Sequence, residues 1–367
     1  MNKKIKDIVV SVLFLIIIIG FFVINILKKD EKVSVSERRK MMQFPKITAD
    51  SVLNGKFSDD LEEYAMDQFI LRDKFRSLKT FVKLDILHQK DNNGLFEIGG
   101  SIYKNLYPLN ERSVLNFTSK INNIYEKYLE NMNVFYTIVP DKNYFLDDNL
   151  GYLKLDYNKL ISLTKDNING NMKYIDILDT LNEEKYYKTD THWKQECLTQ
   201  TVNKIAQEMK FYNEEHNNFN ENEYGEFYGV YYGQLGKNVE PDTIKYLTND
   251  TINNAVTYNY ETNKESAIYD KAKADASMDN YDLFLSGSTP IIEIRNKEAS
   301  TDKELIIFRD SFGSSIAPLF TQAYKKITLI DTRYISSDLI SNYVSFSNQD
   351  VLFLYSTLII NESGTLK

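Results

Sequence analysis

The longest pattern in the chain is an uncharged, mostly apolar run, Ile8 to Leu27, with Lys3, Lys4 and Lys6 before it and Lys28, Lys29 and Asp30 after it. Twenty residues, all uncharged and apolar but for Ser11 and Asn25, match the thickness of a bilayer core. The end of the run, Phe21, Phe22, Val23, Ile24 and Asn25, has no small-residue cleavage pattern, so it reads as an uncleaved signal anchor. A helix buried in a soluble core would rarely stay uncharged on every face for five turns. Residues 30–50 are polar and read as a juxtamembrane linker ending near Pro45. From there to residue 92, Leu61, Tyr64, Phe69, Phe75, Leu78 and Val82 recur at helical spacing, which predicts an amphipathic helical region. Ser58 is its expected N-cap, and its apolar face is expected to pack on the body of the protein or on a partner.

Beyond residue 92 the pattern alternates between helical and strand periods. Residues 109–130 and 193–209 read as helices. "NVFYTIVP" (133–140), "MKYIDILDTL", "PIIEIRN", "ELIIFRDS", "KKITLIDTRY" and "QDVLFLYST" read as strands. "SFGSSIAPLFTQAY" reads as a turn then a helix between two of them. Strand, turn, helix, strand predicts a layered α/β fold with a mainly parallel sheet, whose function lies beyond the carboxyl ends of the strands. Residues 211–280, rich in Asn, Glu, Asp and Tyr, read as an irregular insertion. The expected organisation is 1–29 cytoplasmic tip and anchor, 30–92 linker and helical region, and 93–367 a catalytic domain carrying the 211–280 insertion.

Composition narrows the chemistry. The net charge of -8 and the lack of a basic stripe with interleaved aromatics argue against nucleic acid. Cys197 is the only cysteine, so no intrachain disulfide forms. His88, His192 and His216 lack zinc-ligand spacing. No P-loop or dinucleotide fingerprint is present, and no metal or organic cofactor is implied. Two segments could do nucleophilic chemistry. In "IIFRDSFGSS", Ser311 stands at a strand end, with Gly313 allowing a tight turn. In "KTDTHWKQE", Asp190 could orient His192, and His192 could deprotonate Ser311. Taken alone, each segment fits a helix cap at least as well.

"TDTHW" together with "RDSF" resembles the DHHW family of bacterial cell-surface proteins, which is similar to the SGNH-hydrolase-like alginate O-acetyltransferases of the cell envelope. "GKFSDDLEEYAMDQFILRD", "IVPDKNYF" and "LIDTRY" extend the resemblance over most of the chain, with Thr191 in place of the first histidine of the name-giving motif. The resemblance implies an SGNH-hydrolase-like three-layer sandwich with Asp190, His192 and Ser311 as acid, base and nucleophile. It implies an O-acyltransferase or esterase acting on acetyl esters of envelope polysaccharide. The acyl donor partner would be a multispanning membrane O-acyltransferase, and the C-terminal domain would be extracellular, although lysine and arginine counts on the two sides of the anchor do not favour that side. The oxyanion candidates are Gly287, Ser288 and Phe312, with the Ser311 amide beside them. The substrate-binding candidates are Trp193, Lys142, Arg309 and Tyr334. The rival readings are an inactive glycan-binding protein and a structural component of envelope or spore assembly on the same fold.

Overall fold

The computed structural model describes residues 3–212, 218–299 and 301–367; His216 lies outside them. The chain divides into two units, residues 1–92 with 233–238, and residues 93–232 with 239–367.

In the first unit, Lys3–Leu27 forms one helix (α1). Its Lys4–Leu27 stretch is long and apolar enough to cross a membrane, with its most apolar window unburied. At 1.5 Å per residue its 24 residues reach about 36 Å, more than a bilayer core. This supports a single-pass membrane topology. Three further helices follow: α2 (Ala49–Leu53), α3 (Lys56–Asp67) and α4 (Arg72–Phe81). The expected cap at Ser58 is not made. Thr48 caps α2 in a reciprocal box with Ser51, and α3 starts from Gly55, which has positive φ, placing Ser58 inside the helix. Of the expected apolar face, Phe75 and Leu78 are exposed.

The second unit is built on one eight-stranded sheet. Its strands in chain order are β1 (Asn133–Val139), β2 (Lys173–Tyr174), β3 (Val256–Asn259), β4 (Lys264–Ala267), β5 (Ile291–Arg295), β6 (Glu304–Arg309), β7 (Lys326–Ile330) and β8 (Asp350–Ser356). The spatial order is β4-β3-β5-β7-β6-β8-β1-β2. The five strands from β7 to β2 are mutually parallel, and β5, β3 and β4 add an antiparallel wing. The central strands are nearly continuous apolar runs because both faces are covered. Alternate residues feed two separate cores. Phe135, Leu305, Ile307, Leu352 and Leu354 join the helix Thr199–Glu208 (α7) through Val202 and Ile205. Val134, Tyr136, Ile306, Phe308 and Phe353 meet the helix Glu111–Tyr128 (α5) through Val114, Phe117 and Ile121, and the helix Tyr157–Asn167 (α6) through Leu160. The result is a three-layer sandwich with a mostly parallel sheet.

The 211–280 segment is more regular than its composition suggests. Asn220–Phe227 and Asp242–Thr248 pair as an antiparallel hairpin, and β3 and β4 extend the main sheet itself. Their polar residues fit a sheet margin, where one face or edge meets water.

Candidate active site

Ser311 follows the carboxyl end of β6 and precedes the short helix Phe312–Ile316 (α8). Asp310 fixes the turn. One of its carboxylate oxygens accepts the Phe312 amide at 3.0 Å, and the other accepts the amide and hydroxyl of Ser356 at 2.8 and 2.6 Å. These bonds tie β6 to β8 and hold the serine at the sheet edge. Gly313 is required by proximity, since a Cβ there would lie 2.7 Å from the Arg309 Cβ.

The second segment is a loop closed at its base by a Tyr186–Trp193 bridge and by the Tyr187 amide donating to the His192 carbonyl at 3.1 Å. Asp242 accepts the amides of Lys188 and Thr189 and the Thr189 hydroxyl at 2.8, 2.7 and 2.6 Å. The Gly229 amide donates to the Thr189 hydroxyl at 2.8 Å, and the Val230 amide to the Asp190 carboxylate at 2.7 Å. Gly229 allows this approach, because a Cβ there would sit 2.3 Å from the Thr189 carbonyl oxygen.

The two segments meet at His192. Its Nδ1 lies 2.6 Å from Asp190 Oδ1, and its Nε2 lies 2.7 Å from Ser311 Oγ. Asp190 Oδ1 also accepts the His192 amide at 3.0 Å. The Tyr281 ring stacks on the imidazole with centroids 3.9 Å apart and planes 9° from parallel. Its hydroxyl is anchored to Ser315 Oγ at 2.9 Å, and burial raises its pKa well above the usual tyrosine value. Asp190 and His192 are buried, and Ser311 is partly exposed. A carboxylate on Nδ1 holds the imidazole with its Nε2 lone pair toward a hydroxyl, the arrangement of a serine nucleophile and its base.

The other expected site residues sort differently. Lys142 faces no open surface. It is 2 % exposed, and its Nζ donates to the carbonyls of Tyr187 and Lys188 at 2.9 Å each, so it braces the histidine loop from beneath. Burial pushes it down to about 7, opposed by the charges of Asp190 and Asp242. Trp193 is fully buried and donates to Ser315 Oγ at 2.9 Å; Tyr281, not Trp193, flanks the imidazole face to face. Arg309 is also buried, 3.6 Å from Asp331, with Nε and Nη2 lacking hydrogen-bond partners among the described residues. Burial lowers its pKa. The Gly287 amide is spent in a turn on the Phe284 carbonyl at 3.2 Å, and the Phe312 amide on Asp310, so neither is a free donor to an oxyanion. Ser288 is exposed. The Ser311 amide donates to no acceptor among the described residues. Tyr334 is exposed on a groove of about 420 Å³ with Tyr260 and Tyr343. Tyr281, Asp242, Asp310 and Ser356 were not singled out from the sequence. Their roles depend on contacts between segments far apart in the chain.

This sheet, with a serine at a strand's carboxyl end facing a histidine from a separate loop, defines an SGNH-hydrolase-like α/β sandwich. No family model and no curated protein matches the chain. Among solved structures it is similar to a DHHW family protein from Eubacterium siraeum, at 22 % identity over 75 % of this chain and 94 % of that one, with a TM-score of 0.61. It is similar also to Bacillus cereus PatB1, at 18 % identity over 73 % of this chain and 97 % of that one, with a TM-score of 0.59. The same protein with a sulfonyl adduct gives 18 % identity over 72 % and 95 %, with a TM-score of 0.58. The shared feature is the fold.

Proposed function

We propose that the protein is a serine-dependent O-acyltransferase or esterase acting on acetyl esters of envelope polysaccharide. The observation that carries the reading is His192 held between Asp190 and Ser311 at 2.6 and 2.7 Å. His192 takes the Ser311 proton as Oγ attacks the ester carbonyl, then gives it to the departing alkoxide. Water or a sugar hydroxyl next loses a proton to His192 and attacks the acyl-serine, which restores Ser311 and releases acetate or the acetylated sugar. The Ser311 amide is the available donor to the oxyanion. Tyr334, with Tyr260 and Tyr343, offers ring faces for a sugar chain.

Residues 93–367 carry this chemistry, and the helix α1 holds them at the cell membrane, on the extracellular side in this reading. There the acyl group would be delivered by a multispanning membrane O-acyltransferase. The test is p-nitrophenyl acetate turnover by the full chain. Ser311→Ala and His192→Ala should each lower kcat by roughly 10³-fold or more. Turnover equal to wild type in either variant would overturn the assignment.

A further inference from the structure

The helix α4 is amphipathic in the reverse of the usual sense. Its polar side is turned into the first unit. Arg76 donates to the Gly233 carbonyl at 2.8 Å, Thr80 to the Leu235 carbonyl at 2.6 Å, and Arg72 pairs with Glu37 at 2.6 Å. Gly233 comes so close to Ser36 that no Cβ fits between them. These contacts fix the rotation of the helix. Its apolar side, Phe75, Leu78 and Phe81 at three-residue spacing, is thereby left 45, 54 and 51 % exposed. Water alone would select the opposite rotation.

That face begins where the membrane helix ends. The Ile70 amide donates to Asn25 Oδ1 at 2.7 Å, near the last turn of α1. Phe69 stacks on Phe21 with centroids 5.7 Å apart, and Phe75 meets Phe21 edge-on at 6.1 Å. A groove of about 890 Å³ runs between the outer half of α1 and α3, lined by Ile18, Phe22, Phe44, Leu61, Tyr64 and Phe69. It is apolar along its length, with hydroxyl and amide groups only near the end of the span. Lys74 and Lys79 flank the exposed face, where their heads can reach lipid phosphates while their stems lie on acyl chains.

We infer that α4 and the segment leading into it lie in the bilayer interface, with Phe69, Phe75, Leu78 and Phe81 inserted among the lipids beside α1. The occupant of the apolar face and of the groove is membrane phospholipid. The inserted face fixes the first unit against the membrane plane, where a single spanning helix alone would leave it free to tilt and turn. The inference rests on the membrane-spanning reading of α1 and is independent of the chemistry at Ser311.

The test uses the full chain in phosphatidylcholine–phosphatidylglycerol nanodiscs, with Cys197→Ser removing the native thiol. Leu78→Cys and Phe81→Cys are each labelled with an environment-sensitive fluorophore, and Ile18→Cys marks the span. Replacing the lipid by its chain-brominated form should quench the labels at 78 and 81 about two-fold, close to the loss at 18, because an interfacial apolar face lies within the upper acyl region. Two positions guard against one variant folding poorly. Quenching at 18 with unchanged emission at both 78 and 81 would overturn the inference, whether the face then meets water or another protein.

Discussion

Lys142 carries an ammonium into the body of the protein and spends it on the backbone of the histidine loop. The Lys188 carbonyl also receives the Ile102 amide, but the Tyr187 carbonyl has no such second donor among the described residues. Removing the lysine therefore orphans a buried carbonyl, at about 1–3 kcal/mol. Burial lowers this lysine from 10.5 to about 7. Between those values the unfolded chain holds a proton that the folded chain has released, so the Lys142 contribution to stability rises with pH across that window. Below it both states are protonated and the contribution is flat. In urea melts from pH 6 to 9, the stability of wild type relative to Lys142→Met should be constant up to about pH 7 and then increase. Parallel curves across the range would contradict this. Nothing local marks Lys142 as buried: after "IVP" a lysine reads equally well as solvated. Its environment comes from residues 187–190 and 242, which only the folded chain brings near.

At the scale of elements, what could be read from the sequence was what burial writes into it. The strands β1, β6, β7 and β8 are buried on both faces, and so they appear as unbroken apolar runs. The strands β3 and β4 lie at the sheet margin, are polar, and passed for irregular insertion. The two chemical segments were legible as short motifs, but not the frame that aims them. That frame is built by Asp242, Gly229 and Val230 around one loop, and by Ser356 around the other. Gly229→Ala tests it. The added methyl would meet the Thr189 carbonyl at 2.3 Å, within the loop that bears Asp190 and His192. A cost of about 2–3 kcal/mol is expected, with a fall in ester turnover at temperatures where the variant is still folded. Wild-type melting and turnover would show that the loop does not depend on this approach.

For the whole molecule, the apolar N-terminal helix and the α/β sandwich fit the proposed enzyme working at a membrane. The chain's acidity, its single cysteine and its similarity in fold to PatB1 and the DHHW protein are all compatible with that setting, and none of them establishes chemistry. The proposed function turns on the activation of Ser311 as a nucleophile by His192. It is tested most directly by exposing the full chain, held in nanodiscs, to phenylmethylsulfonyl fluoride and mapping the product by mass spectrometry. A single sulfonyl group is expected on Ser311, absent from Ser311→Ala and formed far more slowly in His192→Ala. A wild-type chain that stays unmodified at Ser311, or a His192→Ala chain labelled there at the wild-type rate, would contradict it.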